Sequence, residues 1–133
     1  EAYGKAGQAE DGLATLAEAL TVVDNSGERF YEAELYRLRG ELTLAQSSVQ
    51  SLESRVQKER EAEECFLKAI EIARKQQAKS LELRAVMSLS RLWQQLGKQQ
   101  EAHQLLSEIY NWFTEGFETK DLQEAKALLN ELS

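Results

Sequence analysis

One pattern of three residues recurs along this chain and limits what it can fold into. Ala62, Phe66 and Ala69 are followed by Ala102, Leu106 and Ile109 at the same spacing, and preceded by Ala9, Leu13 and Leu16. A small residue, an apolar one four later and another three beyond that share one face of an α-helix. The small side chain lets a paired helix approach, and the larger one fills the gap between neighbouring hairpins. From Ala62 to Ala102 is 40 residues, and from Ala9 to Ala62 is 53. A hairpin of this kind cannot bury its apolar face alone, so stacked neighbours must supply the core. The chain contains no proline, and its seven glycines fall mostly where helices would stop. A sheet protein of this length would need more turn residues. The expected class is all-α.

Six helices are predicted from the apolar periodicity. The first covers about Gln8 to Asp24, with Ala9, Leu13, Leu16, Leu20 and Val23 on one face, and Asn25-Ser26-Gly27 ends it. The second runs from about Glu28 to Ala45 on a stripe of Tyr31, Leu35, Leu38, Leu42 and Ala45. Residues 46–58 are polar and weakly periodic, and read as an inserted loop or as a frayed extension of the flanking helices. The third, about Glu59 to Gln77, turns Ala62, Cys65, Phe66, Ala69, Ile70 and Ala73 inward, with Glu64–Lys68 and Glu71–Lys75 paired outside. Ser80 is a good N-cap for the fourth, whose stripe is Leu81, Ala85, Leu89, Leu92, Trp93 and Leu96, with Gly97 as its stop. The fifth, about Gln99 to Thr114, uses Ala102, Leu105, Leu106, Ile109, Tyr110 and Phe113 before Gly116. Thr119 or Asp121 caps the sixth, which carries Leu122, Ala125, Leu129 and Leu132, and Asp121 with Glu124 has capping-box spacing.

Charge and composition remove several classes of function. Sixteen basic residues against 23 acidic leave a net charge of −7, which opposes the clustered cations that nucleic-acid binding needs. No apolar run approaches the roughly 20 residues needed to cross a bilayer, and no signal-peptide pattern opens the chain. A single cysteine, Cys65, excludes an internal disulfide and suits a reducing, cytoplasmic setting. The opening Glu1-Ala2-Tyr3-Gly4, without a Met, reads as the tail of a preceding helix, so a piece of a longer polypeptide is expected.

No catalytic, metal or cofactor site is expected. His103, the only histidine, lies off the apolar stripe with no triad pattern to pair with it, and reads as a helix-face residue. Cys65 beside Phe66 reads as a small buried hydrophobe rather than a reactive thiolate. Gly4-Lys5-Ala6-Gly7 lacks phosphate-loop spacing, and Glu59, Glu61, Glu63 and Glu64 lie on a helix without the loop geometry of a calcium site. Trp93, Trp112, Phe113 and Phe117 could form an aromatic binding box; packing between the last hairpin and the cap is the favoured reading for Trp93, and the two readings are evenly matched for Trp112.

The chain resembles the tetratricopeptide repeat family over about residues 1–115. The match rests on Gly97…Ala102…Leu106…Ile109 with Trp93 before it, on Ala62…Phe66…Ala69 with Gly40 in the preceding helix, and on Gly4…Ala9. It departs in lacking the closing proline, in having Tyr36 or Val86 at the first aromatic position, and in repeats longer than about 34 residues. The resemblance implies one domain over 1–133: a right-handed superhelix of three antiparallel hairpins, the last helix serving as cap. Stretches such as Gly27-Glu28-Arg29-Phe30-Tyr31-Glu32-Ala33-Glu34 and Ser88-Leu89-Ser90-Arg91-Leu92-Trp93 are similar to the C-terminal helical repeats of large bacterial signalling ATPases, some linked to nucleotide cyclases. That similarity implies a protein-binding, regulatory arm without chemistry of its own.

In such stacks the first helix of each pair lines a concave groove. The residues expected there, off the hairpin-packing stripe, are Glu34, Arg37 and Glu41 in the second helix, and Arg84, Met87, Arg91 and Gln95 in the fourth. Arginine forks suit carboxylate-bearing partners, and methionine adapts to varied apolar surfaces. The expected partner is a protein or peptide, or other domains of the same polypeptide. A structural element whose exposed end helices pair into a homodimer is the alternative.

Overall fold

The computed structural model describes residues 31–47 and 51–133, with Gly12, Leu13 and Thr15 besides. The expected first helix otherwise lies outside the described residues, as does the Gly4…Ala9 part of the repeat pattern. Five helices follow: α1 Glu32–Ser47, α2 Leu52–Lys75, α3 Lys79–Gln95, α4 Gln99–Tyr110 and α5 Lys120–Leu132. No strand occurs among the described residues, and the class is all-α.

Two of the connections share one geometry. After α2, the Gln77 N–H donates to the Arg74 carbonyl at 3.1 Å and the Ala78 N–H to Ala73 at 2.9 Å. After α3, the Gly97 N–H donates to Gln94 at 3.2 Å and the Lys98 N–H to Trp93 at 2.8 Å. These paired bonds satisfy the last carbonyls of each helix and require one left-handed residue. That residue is Gln77 at φ 57° in the first turn and Gly97 at φ 82° in the second. Each turn is too short to do anything but fold the next helix back on the last.

The first turn also corrects the expected cap. Since Ala78 already occupies the N-cap position, without a capping side chain, Ser80 falls inside α3. The start of α3 is instead tied down by Glu82, whose carboxylate takes Arg74 Nε at 3.0 Å and Lys79 Nζ at 3.4 Å.

The segment 46–58 is not a loop where it is described. It belongs to the helices on either side, with residues 48–50 outside the described set. Ser51 caps α2, its Oγ accepting the Ser54 N–H at 3.3 Å. The periodicity is weak here because the first turns of α2 stand in solvent, with Leu52 71% and Val56 48% exposed. A helix that buries no face has no reason to show a stripe.

Helix α3 is the centre of the fold and packs against all four others. Its expected single stripe is therefore replaced by burial nearly all round. Leu83, Ala85, Val86, Met87, Leu89 and Leu92 are buried, and so are Ser88 and Ser90, whereas Leu81 is half-buried and Leu96 exposed. The buried serines are partnered: Arg37 donates to Ser88 Oγ at 3.4 Å, and Ser90 donates to the Ala102 carbonyl at 3.5 Å. The helices form two layers. In one, α1 packs on α3 and α3 on α5; in the other, α2 and α4 make no close backbone approach to each other among the described residues.

The recurring triplets sit in the core. Ala62, Phe66, Ala69, Ala102 and Leu106 are fully buried, and Ile109 is nearly so. Gly40 of α1 meets Phe66 at a point with no room for a methyl group, since a Cβ there would lie 2.5 Å from the ring. Cys65 is half-buried rather than inside, and Ile72 joins the core in its stead. The Glu71–Lys75 pair forms at 3.1 Å. At the last helix, Thr119 has the N-cap backbone, but its hydroxyl donates to the Gly116 carbonyl at 2.7 Å. Asp121 lies within the first turn of α5, so the expected capping box with Glu124 does not form. Leu122, Ala125, Leu128 and Leu132 are buried, Leu128 taking the place expected of Leu129.

Candidate functional site

The layer of α1, α3 and α5 carries a row of arginines whose positions follow from helical spacing. Arg37 on α1 and Arg84 and Arg91 on α3 line one cleft of about 290 Å³ with Lys120, Asp121 and Glu124 of α5. Glu34 sits one turn before Arg37 and holds it through two bonds, Nη2 to Oε2 at 2.7 Å and Nε to Oε1 at 2.9 Å. This fork on a half-buried carboxylate raises the Arg37 pKa above its ordinary value, against the opposing effect of burial; the charges of Glu34 and Glu41 add to the rise. The Arg37 pair is the best-formed of the site, because bidentate geometry and partial burial both strengthen it.

Arg84 joins all three helices of the layer. Its Nε bonds Asp121 Oδ2 of α5 at 2.9 Å, and its Nη1 lies 3.5 Å from Glu34 Oε2 of α1. The hydrogen bond it donates to Asp121 is the main reason its pKa is raised. Arg91 reaches Glu124 Oε2 only at 3.8 Å, and Lys120 reaches Glu124 Oε1 at 3.9 Å. Exposed pairs this long contribute roughly 0–1 kcal/mol and exchange readily. Among the described residues, four cations and two carboxylates line the cleft, with Glu34 and Glu41 acting on Arg37 from beside it.

Of the expected groove residues, Arg37, Arg84, Met87 and Arg91 come together here, and Glu34 stands between two of the arginines. Met87 needs correction: it lines the floor but is 3% exposed, so its thioether belongs to the core and offers a partner little adaptable surface. Glu41 is half-buried and acts on Arg37 through its charge, without lining the cleft. Gln95 is exposed at the end of α3, away from the cleft. The contribution of α5 was missed. Its Asp121 and Glu124 have the spacing of a cap, and that reading hides that the two side chains meet Arg84 and Arg91 of α3.

Other singled-out residues have structural places. Trp93 is half-buried and donates its indole N–H to Glu63 Oε1 at 2.6 Å. Trp112 is 56% exposed, edge-on to Phe113 at 5.1 Å, and Phe117 stacks obliquely on Tyr110 at 5.8 Å. His103 is half-buried on α4. Burial pushes the Cys65 thiol up in pKa, with Arg39 opposing and Glu61 and Glu64 assisting. No cluster of three metal-ligating side chains occurs among the described residues, and none of their helices is long and apolar enough to cross a membrane. Comparisons with protein-family models, curated proteins and solved structures find no match for this chain.

Proposed function

We propose that this chain is a tetratricopeptide-like repeat module that docks a carboxylate-bearing protein segment along the face of α1, α3 and α5. In this reading it is a non-catalytic regulatory arm of a larger cytoplasmic bacterial signalling protein, linked to an ATPase or a nucleotide cyclase. The docked segment belongs to a partner or to the parent's own domains. The observation that carries the proposal is the row Arg37, Arg84 and Arg91 gathered in one cleft on an acidic chain. The packing supports it: α1, α3 and α5 touch in succession while α2 and α4 stay apart, as on the inside and outside of a bend. An arriving carboxylate replaces Glu124 or Asp121 on Arg91 or Arg84, exchanging one ion pair for another at little cost.

A labelled peptide carrying four consecutive glutamates tests this by fluorescence anisotropy. Binding should weaken with added salt and fall roughly tenfold or more in Arg84→Glu or Arg91→Glu, a change of about 1.4 kcal/mol per decade. Binding that ignores both substitutions sinks the proposal.

A purely associative role has one observation in its favour. Leu52, Val56 and Leu67 lie exposed within one face of α2, the kind of apolar row through which two copies can pair. Sedimentation that shows concentration-dependent dimers, lost in Leu52→Lys and indifferent to the arginine changes, would select that role instead.

A further inference from the structure

A second and larger cleft opens beside the arginine row. It has a volume of about 740 Å³ and lies between the start of α3, the connection from α4 to α5, and the start of α5. Leu83 and Leu122 form its floor, and Trp112 and Phe113 stand at its wall. Clefts of about 300–1,000 Å³ with apolar linings and a few polar groups are the usual form of ligand sites. Trp112 is 56% exposed although it is the larger of the two aromatics, and its ring is held edge-on by Phe113. On its other flank the Lys79 ammonium lies 5.5 Å from the ring centre, a cation–π contact that further fixes the indole. A rigid, exposed indole over an apolar floor is the feature that most often anchors a protein interface.

Two further observations say what the cleft would take. Arg84 and Asp121 line both this cleft and the arginine cleft, so the two meet at the 2.9 Å bond between those side chains. Beyond that bond lie Arg37 and Arg91. A chain segment that laid a carboxylate on Arg84 would release Asp121 and join the two clefts into one channel.

We infer that the Trp112 cleft is an anchor pocket for one bulky apolar side chain of the acidic segment, placed within a few residues of the carboxylate that meets Arg84. The inference rests on the proposed docking of acidic segments and adds to it a second, apolar requirement. The partner is therefore an acidic segment with an isolated phenylalanine, tryptophan or leucine, and purely polar acidic sequences bind less tightly than it does.

Three labelled decapeptides test it by anisotropy: one with a single Phe followed by four Glu, one with that Phe replaced by Ala, and one keeping Phe but with Gln for every Glu. The Phe–Glu peptide should bind roughly tenfold or more tightly than the Ala–Glu peptide, as burying one aromatic side chain predicts. Trp112→Ala should erase that ratio, and so should Ser80→Trp, which fills the cleft from its exposed rim. Equal binding of the Phe–Glu and Ala–Glu peptides, both weakened by Arg84→Glu, overturns the anchor pocket and leaves the arginine docking intact. A Phe preference that survives both cleft substitutions also overturns it. Binding of the Gln peptide as tight as the Phe–Glu peptide overturns the acidic docking itself. Dimers that vanish in Trp112→Ala would show a second copy as the occupant, against the inference.

Discussion

The hairpins α1–α2 and α3–α4 use one packing scheme with different tolerances. In α1–α2 the helices meet where Gly40 faces Phe66; in α3–α4 the residue at the place of Gly40 is Ser90, which donates to the Ala102 carbonyl. The register is parallel: Tyr36 precedes Gly40 by four as Val86 precedes Ser90, and Ala62 precedes Phe66 as Ala102 precedes Leu106. From Gly40 to Ala62 is 22 residues, however, and from Ser90 to Ala102 only 12. The ten extra residues lengthen the closed end of the first hairpin and leave Leu52 and Val56 in solvent. The phenylalanine at the first crossing demands a glycine opposite, whereas the second hairpin has Leu106 at the register of Phe66 and carries a serine at that of Gly40. The size of one core side chain thus sets what its partner helix can carry.

Truncation tests that scheme most strongly. Phe66→Ala should cost about 3–5 kcal/mol and Leu106→Ala about 2–5 kcal/mol, both read from denaturant midpoints. The more telling pair lies opposite them. Gly40→Ala would drive a Cβ to 2.5 Å from Phe66 Cε1 and 2.8 Å from Cδ1 of a ring that is fully buried. Overpacking of this kind costs about 1–3 kcal/mol, and the better helix propensity of alanine returns only about 1. Ser90→Ala loses one long hydrogen bond and creates no clash, so it should change stability by roughly 0.5 kcal/mol or less. Equal effects at the two positions would show that the hairpins are not built alike.

The two turns give a smaller contrast of the same form. Gly97 adopts its left-handed conformation without strain and meets nothing within 4 Å, while Gln77 adopts it with a side chain. Gly97→Ala should therefore cost about 1 kcal/mol through backbone strain alone. Gln77→Gly should gain roughly 0.5–1 kcal/mol. A stabilising Gly97→Ala would mean that the turn relaxes out of its present hydrogen bonding.

Much of this was legible because buried positions obey the helical period. The triplets at Ala62 and Ala102 read directly as core, and the spacing of Arg84 and Arg91 put both on one face. Four things were not legible. The polar residues Glu82, Ser88 and Ser90 conceal that α3 is buried on nearly every side, since each takes a partner from another helix. The start of α2 buries no face, so it shows no period to read. Met87 lies between the core stripe and the groove face, and spacing alone cannot say which claims it. At Asp121, one side chain fits both a cap and an ion pair; the guanidinium of Arg84, 37 residues away in sequence, decides between them.

The smallest effect concerns Cys65, which stands in α2 where Leu105 stands in α4, each three residues after the repeat's alanine. Both are half-buried, but only Cys65 can ionise, and burial raises its pKa. A raised pKa means that the folded state prefers the neutral thiol. The corresponding stability is fully present below the unfolded thiol pKa, near 8.5, and is lost as pH rises through the folded value. Replacing the residue by its counterpart, Cys65→Leu, should remove that alkaline component and flatten stability as pH rises above about 8.5. Alkylation by iodoacetamide at pH 8 should likewise run slower on the folded chain than on glutathione, because the thiolate is the nucleophile. Faster alkylation than glutathione would mean that Arg39, whose charge lowers the pKa, outweighs burial at this site.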